Sequence, residues 1–190
     1  MRYGCFESNY YDSDFIHIDA QMELPESYEV KNQYDVLNQG NEGSCVSCAL
    51  IEAYHFHQLS HNKKLDLPWY YFYENRKDKS KDGMSIREAF EMLINENRIV
   101  MFSRLASLDY LKKSILLNGP AVIGLIAKSE STEFWKGNQV LGGHAVAVVG
   151  YDEYGLKIKN SWGMSYGYGG YATLSYSDFS LVKEAWSIFS

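Results

Sequence analysis

The spacing of apolar positions changes near Pro120. Before this residue, apolar side chains recur every three or four positions in several segments, as they do in amphipathic helices. After it, short apolar runs and alternating stretches dominate, as they do in β-strands. The pattern predicts an α+β fold with a helical half over residues 23–118 and an antiparallel β half over residues 119–190. A functional site is expected in the cleft between the two halves.

Three segments of the first half have clear helical signals. The first helix is predicted to begin near Ser44 and to carry one apolar stripe. The members of the stripe are Val46, Ala49, Leu50, Ala53 and His57. Ser85 and Glu88 form an S-x-x-E capping box ahead of a second helix. A third helix is predicted over residues 107–117, because the Asn-Gly-Pro sequence that follows it ends a helix.

Strands are predicted at residues 122–127, 145–149, 156–159 and 170–176. Residues 1–22 show no clear period, so they are predicted to form an N-terminal arm ahead of a single domain over residues 23–190. We hypothesise that this arm packs across or beside the cleft and limits access to it. Its aromatic side chains would be the anchors, since each can bury a large area. These are Tyr3, Phe6, Tyr10, Tyr11 and Phe15, and the interleaved Glu7, Asp12 and Asp14 could pair with basic groups. Alternatively, the arm only extends the sheet or caps the core.

Composition narrows the classes of function. The 190 residues are 46% hydrophobic and 22% charged, which is typical of one globular domain. The net charge of −6 and the lack of a basic run argue against nucleic acid as a partner. No apolar run is long enough to span a membrane, and Met1–Ala20 lacks the apolar centre of a signal peptide. With only three cysteines, the chain is expected in the cytoplasm or another reducing compartment. It is also expected to be a monomer.

A β-hairpin over residues 144–160 carries the first candidate chemistry. If its turn is centred on Asp152, His144 and Asn160 lie opposite each other at the rim of an apolar face. The amide oxygen of Asn160 can then accept a hydrogen bond from one ring nitrogen, which fixes the tautomer and leaves the other nitrogen to exchange a proton. Taken alone, such a pair is more often structural than catalytic.

Cys45 lies at the predicted start of the first helix, where the helix dipole favours a thiolate. Gln39, six residues earlier, could direct its amide NH₂ to a developing oxyanion beside the Cys45 N–H. A cysteine at a helix start can equally be structural. Cys45 and Cys48 also form a C-x-x-C sequence, which could be a redox pair or half of a zinc site. Cys5 and scattered histidines are poor further ligands for zinc, and no strand of a βαβ unit precedes Cys45.

Together these segments resemble the papain-like cysteine peptidases, from about Leu24 to the C-terminal region. The matching segments, in chain order, are LPESY at 24–28, NQGNEGSC at 38–45, GHAVAVVGY at 143–151, KNSWG at 159–163 and GGY at 169–171. The sixteen-residue gap from His144 to Asn160 is also that of the family. The resemblance implies the papain fold and hydrolysis of peptide or protein substrates without a cofactor or metal.

The resemblance also implies roles for individual residues. Cys45 would be the nucleophile, His144 the general base, Asn160 the residue that orients the base and Gln39 an oxyanion donor. In addition, Trp162 would shield the His–Asn bond from solvent. For substrate binding, Gly83 would offer backbone atoms to an extended peptide, and Gly124 and Ala145 would line the main specificity pocket.

Three departures from the family pattern bear on these expectations. Glu42 and Val46 stand where the family signature has a cysteine and an aromatic residue. His144 follows Cys45 by 99 residues, whereas about 130–150 is usual. The shorter middle predicts trimmed loops and a more open cleft. The arm resembles the short leader of bacterial and viral papain-like proteins.

Two alternative functions would use the same residues. They are acyl transfer to an amine and peptide binding without catalysis, and the sequence is compatible with both.

Overall fold

In a computed structural model, which describes residues 3–9, 11–15 and 21–189, helices pack on both faces of an antiparallel sheet. The helices are α1 (Cys45–Ser60), α2 (Tyr71–Glu74), α3 (Ile86–Asn95) and α4 (Leu108–Asn118). Helices α1 and α3 lie on one face of the sheet and α4 lies on the other. The strands are β1 (Cys5–Phe6), β2 (Tyr28–Glu29), β3 (Met84–Ser85), β4 (Met101–Arg104), β5 (Ala121–Ala127), β6 (Gly142–Tyr151), β7 (Gly155–Lys159), β8 (Tyr171–Ser175) and β9 (Val182–Phe189). Short 3₁₀ turns cover Asp12–Asp14 and Tyr176–Leu181.

The main sheet has the order β4-β9-β5-β6-β7-β8, and β2 pairs with the end of β6. All of these pairs are antiparallel, which confirms the predicted α+β class. The division along the chain is less clean than predicted. Strand β4 lies in the predicted helical half and pairs with β9, and α4 packs on the sheet through Leu111 and Ile115.

Helix α1 begins at Cys45 as predicted, but its burial differs from the predicted single stripe. Every residue from Cys45 to Tyr54 is buried, including the polar Ser47 and Glu52. The helix lies between α3 and the sheet, and one apolar cluster joins Leu50 of α1, Phe90 of α3 and Trp186 of β9. A helix enclosed in this way needs no solvent-facing side.

The predicted ends of α3 and α4 are largely confirmed. The Ser85 hydroxyl accepts a hydrogen bond from the Glu88 N–H at 3.2 Å, as a capping residue does. The reciprocal half of the capping box is absent, because the Glu88 carboxylate accepts from the Lys77 N–H at 2.6 Å instead. Helix α4 ends at Gly119, whose φ of +84° suits glycine and whose N–H donates to the Ile115 carbonyl.

The register of the β6–β7 hairpin differs from the prediction. Val148 pairs with Ile158 and Ala147 with Lys159, two positions from the predicted register, so His144 and Asn160 are not directly opposite. A β-bulge between Val148 and Gly150 adds one further position towards the turn, where the Asp152 carboxylate accepts from the Tyr154 and Gly155 N–H groups. The predicted faces next to His144 are nevertheless correct, since a shift of two positions preserves the alternation of side chains.

None of the helices in residues 3–9, 11–15 and 21–189 is both long and apolar enough to cross a membrane.

Candidate active site

His144 lies in the middle of the sheet and is fully buried. Its Nε2 lies 2.8 Å from Oδ1 of Asn160, just past the end of β7. Oδ1 also accepts the Ser161 backbone N–H at 2.8 Å, which fixes the orientation of the amide and identifies this atom as the acceptor. Nε2 therefore carries the hydrogen, and Nδ1 is the basic nitrogen. Nδ1 is buried and has no hydrogen-bond partner in the described part of the chain.

Aromatic rings enclose the imidazole. The Trp162 ring stacks on it with centroids 4.7 Å apart, and Phe134 contacts it edge-on at 5.1 Å. Burial lowers the pKa of His144 to about 4, although the bond to Asn160 acts in the opposite direction. The position of Trp162 agrees with the shielding role that the sequence resemblance implies.

Cys45 is the first residue of α1 and its side chain is fully buried. Burial raises the pKa of its thiol, while interactions with the backbone of Ala145 and Gly4 act to lower it. The contact with Ala145 places the thiol beside the residue that follows His144. The helix start was expected to favour the thiolate, but in this state desolvation outweighs that effect.

Gln39 is held against the strand that carries Asn160. Its backbone N–H donates to the Ser161 carbonyl at 2.8 Å, and its Oε1 accepts from the Ser161 hydroxyl at 2.6 Å. Its Nε2 donates to the Glu42 carbonyl at 2.7 Å, so the amide NH₂ points to the loop just before Cys45. The structure thus brings Gln39 to the same corner as Cys45 and Asn160.

The N-terminal arm runs through the cleft and covers these groups. Gly4 lies so close to the helical half that a Cβ on it would be 2.1 Å from the Gly43 carbonyl oxygen. On the sheet side, a Cβ on Gly143 would be 1.9 Å from the Cys5 carbonyl oxygen. The Gly4 carbonyl accepts the Met84 N–H at 2.8 Å, and β1 continues in parallel with β3. The described residues of the arm therefore pack across the cleft, and the restriction of access stays a prediction.

The anchors of the arm differ from the predicted aromatic set. Tyr3 contacts the His144 and Trp162 rings edge-on, with centroids about 6 Å from each, but Phe6, Tyr11 and Phe15 are exposed. Tyr10 lies outside the described residues. Further along the arm, polar contacts dominate. Asp14 pairs with Arg87, and the Ser103 hydroxyl donates to the Asp14 carbonyl at 2.7 Å.

Comparison with known proteins places this site in a family. A family model described as papain family cysteine protease matches residues 39–186, which is most of the chain. The chain belongs to the papain family. Members of this family are cysteine proteases, so the chain is a hydrolase that acts on peptide or protein substrates.

Individual relatives of this papain-family protease are distant. It is 25% identical to an uncharacterized peptidase C1-like protein, L477, of Acanthamoeba polyphaga mimivirus, over 90% of this chain and 75% of the viral protein. Xylellain, a cysteine protease from Xylella fastidiosa, superposes with a TM-score of 0.85 at 21% identity over 99% of this chain and 96% of its own. Procathepsin L 3 of Tenebrio molitor gives a TM-score of 0.73 at 18% identity, over 100% of this chain and 76% of its own. The structural matches establish the papain fold.

The protease has a cavity of about 210 Å³ beside the arm. Gly124 lines it together with Gly143, Cys5 and Glu184. Ala145 does not line this cavity but a smaller one beside α1, together with Ala49 and Asn160. Gly83 packs against Gly4, but it is the next N–H, that of Met84, that pairs with the extended arm.

The sequence reasoning missed Glu184. Its carboxylate is buried on the cavity wall, accepting from the Trp186 indole N–H at 2.6 Å and from the Ser8 N–H of the arm at 3.3 Å. The only signal in the sequence was an acidic residue between apolar positions of β9, a strand that was not predicted. Cys45 and Cys48, which form the C-x-x-C sequence, are both free thiols.

Proposed function

We propose that the protease cleaves peptide bonds through Cys45, His144 and Asn160, with Gln39 as an oxyanion donor. The observation that carries the proposal is the His144–Asn160 hydrogen bond, which makes Nδ1 the basic nitrogen on the imidazole. The Cys45 thiol lies at the start of α1 and contacts the backbone next to His144. A nucleophile, a base and an orienting amide are the parts that nucleophilic acyl transfer needs.

In the proposed reaction, Nδ1 of His144 takes the proton of the Cys45 thiol. The sulfur attacks the carbonyl carbon of the substrate, and the charge on the carbonyl oxygen is stabilised by the Cys45 N–H and the Gln39 amide. The imidazolium then gives its proton to the leaving amine, the C–N bond breaks, and a thioester remains. Water, deprotonated by His144, hydrolyses the thioester and regenerates the thiol.

The substrate is proposed to bind where the arm now lies. The Met84 N–H, which pairs with the Gly4 carbonyl, is available to an extended peptide once the arm leaves. One side chain of that peptide would enter the cavity lined by Gly124 and Glu184. We propose a reducing compartment for this activity, since all three cysteines are free thiols and the nucleophile must stay reduced.

Two matched variants test the assignment of the nucleophile. Cys45→Ala is expected to abolish cleavage of a peptide library, measured by mass spectrometry, and labelling by an epoxide cysteine reagent. Cys48→Ala is the control, because Cys48 is a buried thiol one turn further along the same helix. It should keep most of the activity. A folded Cys45→Ala protein that still cleaves peptides would refute the proposal.

A further inference from the structure

A buried ion pair joins α1 to the end of β7. Glu52 lies seven residues after Cys45 on α1, and Lys159 directly precedes Asn160. Lys159 Nζ lies 2.7 Å from Glu52 Oε2, and the two residues are only 6% and 3% exposed. The pair therefore connects the helix that begins with the proposed nucleophile to the strand that leads to the orienting amide.

Tyr34 closes the ion pair into a ring. Its backbone N–H donates to Glu52 Oε1 at 3.1 Å, and its carbonyl accepts from Lys159 Nζ. The segment that follows Tyr34 leads within five residues to Gln39. All three segments that carry Cys45, Gln39 and Asn160 are thus joined at one point behind the site.

The ring is expected to contribute little net stability to the fold, because burying its charges is unfavourable. Removing two charges from water costs several kcal/mol per ion, and apolar replacements of buried pairs are often neutral or stabilising. Burial raises the pKa of Glu52, while Lys159 and the Tyr34 N–H act to lower it. The ring groups are also faced by Asp35 and His55, whose charges are part of the same environment.

A small cavity of about 10 Å³ lies beside the ion pair. Its lining includes Ala49 and Glu52 of α1, Ala145 and Ala147 of β6, and Lys159 and Asn160. The Glu52–Lys159 bond links α1 directly to the segment that carries Asn160. A charge-assisted hydrogen bond is short and directional, so it fixes the distance between the two elements that it joins.

We propose that Glu52 and Lys159 are positioning residues, which hold Cys45, Gln39 and Asn160 in register for the reaction. This inference rests on the proposed function of those three residues. Neither Glu52 nor Lys159 is proposed to contact the substrate. Both act by holding the segments that they join. A displacement of about 1 Å of reacting groups can cost about 100-fold in rate.

The test compares Glu52→Leu/Lys159→Met with the wild type. The double variant removes both charges, so that no unpaired charge is left buried. Active sites are counted with the epoxide reagent, so that kcat refers to competent molecules. Lys159→Arg keeps the cation, and Lys113→Met is the control that removes a buried lysine from α4.

Positioning predicts that the double variant keeps its melting temperature but loses between about 10-fold and 100-fold in kcat, with KM within about threefold. The pH at which Cys45 alkylation is half-maximal should rise, because the imidazole is no longer positioned to accept the thiol proton. Lys159→Arg and Lys113→Met should keep kcat within about threefold.

An unchanged kcat and an unchanged alkylation profile in the double variant would overturn the positioning role. Failure of the proposed function would look different, because the wild type itself would then neither cleave peptides nor react at Cys45.

Discussion

The groups proposed for catalysis rest in their neutral forms. Burial lowers the pKa of His144 and raises that of the Cys45 thiol, so both changes disfavour a thiolate–imidazolium pair. The arm contributes to this burial through Tyr3 and Gly4. Exchange of the arm for solvent and substrate would restore the conditions under which a helix start favours a thiolate.

The pKa of His144 predicts an acid-sensitive fold. The unfolded chain binds a proton at His144 below about pH 6.5, whereas the folded chain does so only near pH 4. Stability is therefore full above pH 6.5 and falls as the pH decreases towards 4, by at most about 3 kcal/mol. Urea unfolding at several pH values measures this loss. His144→Gln should lose less free energy over the same interval, and equal slopes would contradict the prediction.

Glu184 predicts a preference for basic side chains in the adjoining cavity. When the arm leaves, its carboxylate loses the Ser8 N–H and keeps the Trp186 indole N–H on the cavity wall. Glu184→Gln should lower kcat/KM by at least about tenfold for peptides with Arg or Lys at the residue that enters the cavity. Apolar peptides should change by less than about threefold. Lys183→Met, at the exposed rim of the same cavity, is the control and should not reduce the preference.

At the scale of elements, residues 3–5 and the start of β1 close the cleft. They fit because glycines line both walls, with Gly83 on one side and Gly142 and Gly143 on the other. This arrangement makes the arm sensitive to a single methyl group, since backbone atoms cannot move aside as a flexible side chain can.

Gly4→Ala should displace the arm from the cleft. The added Cβ would lie 2.1 Å from the Gly43 carbonyl oxygen, a distance that real contacts do not reach. We expect faster cleavage of small peptides with the melting temperature roughly kept. Asn9→Ala changes an exposed arm residue and should behave as the wild type. A less stable protein without a gain in rate would show that the arm is only structural.

Elements with strong local signals were predictable from the sequence. The start of α1, the end of α4 at Gly119 and the two strands β6 and β7 follow from periodicity and turn residues. The hairpin register was wrong, because it depends on the hydrogen bonds of Asp152 and not on composition. Strand β9 was missed, because the polar and apolar residues of VKEAWSIF do not alternate strictly and its pairing with β4 joins distant parts of the chain.

At the scale of the whole molecule, the site lies between two apolar clusters, one built on α1 and α3 and one on the sheet and α4. His144, Asn160, Gln39 and Cys45 could be named from the sequence, because each lies in a short motif of fixed spacing. Glu184 could not, because only the pairing of β9 with β5 brings it beside Gly124. Contacts made across the cleft depend on how the halves pack, which no local pattern encodes.

The covalent attachment of the arm has a consequence for how it competes with substrate. Gly4 lies against Gly43 and Gly83, and Cys5 lies against Gly143, so the arm occupies the same cleft that an extended peptide would enter. Because the arm is part of the same chain, its binding to the cleft is an intramolecular equilibrium. The fraction of molecules with a covered cleft is therefore independent of protease concentration, and dilution of the protease should not raise its specific activity.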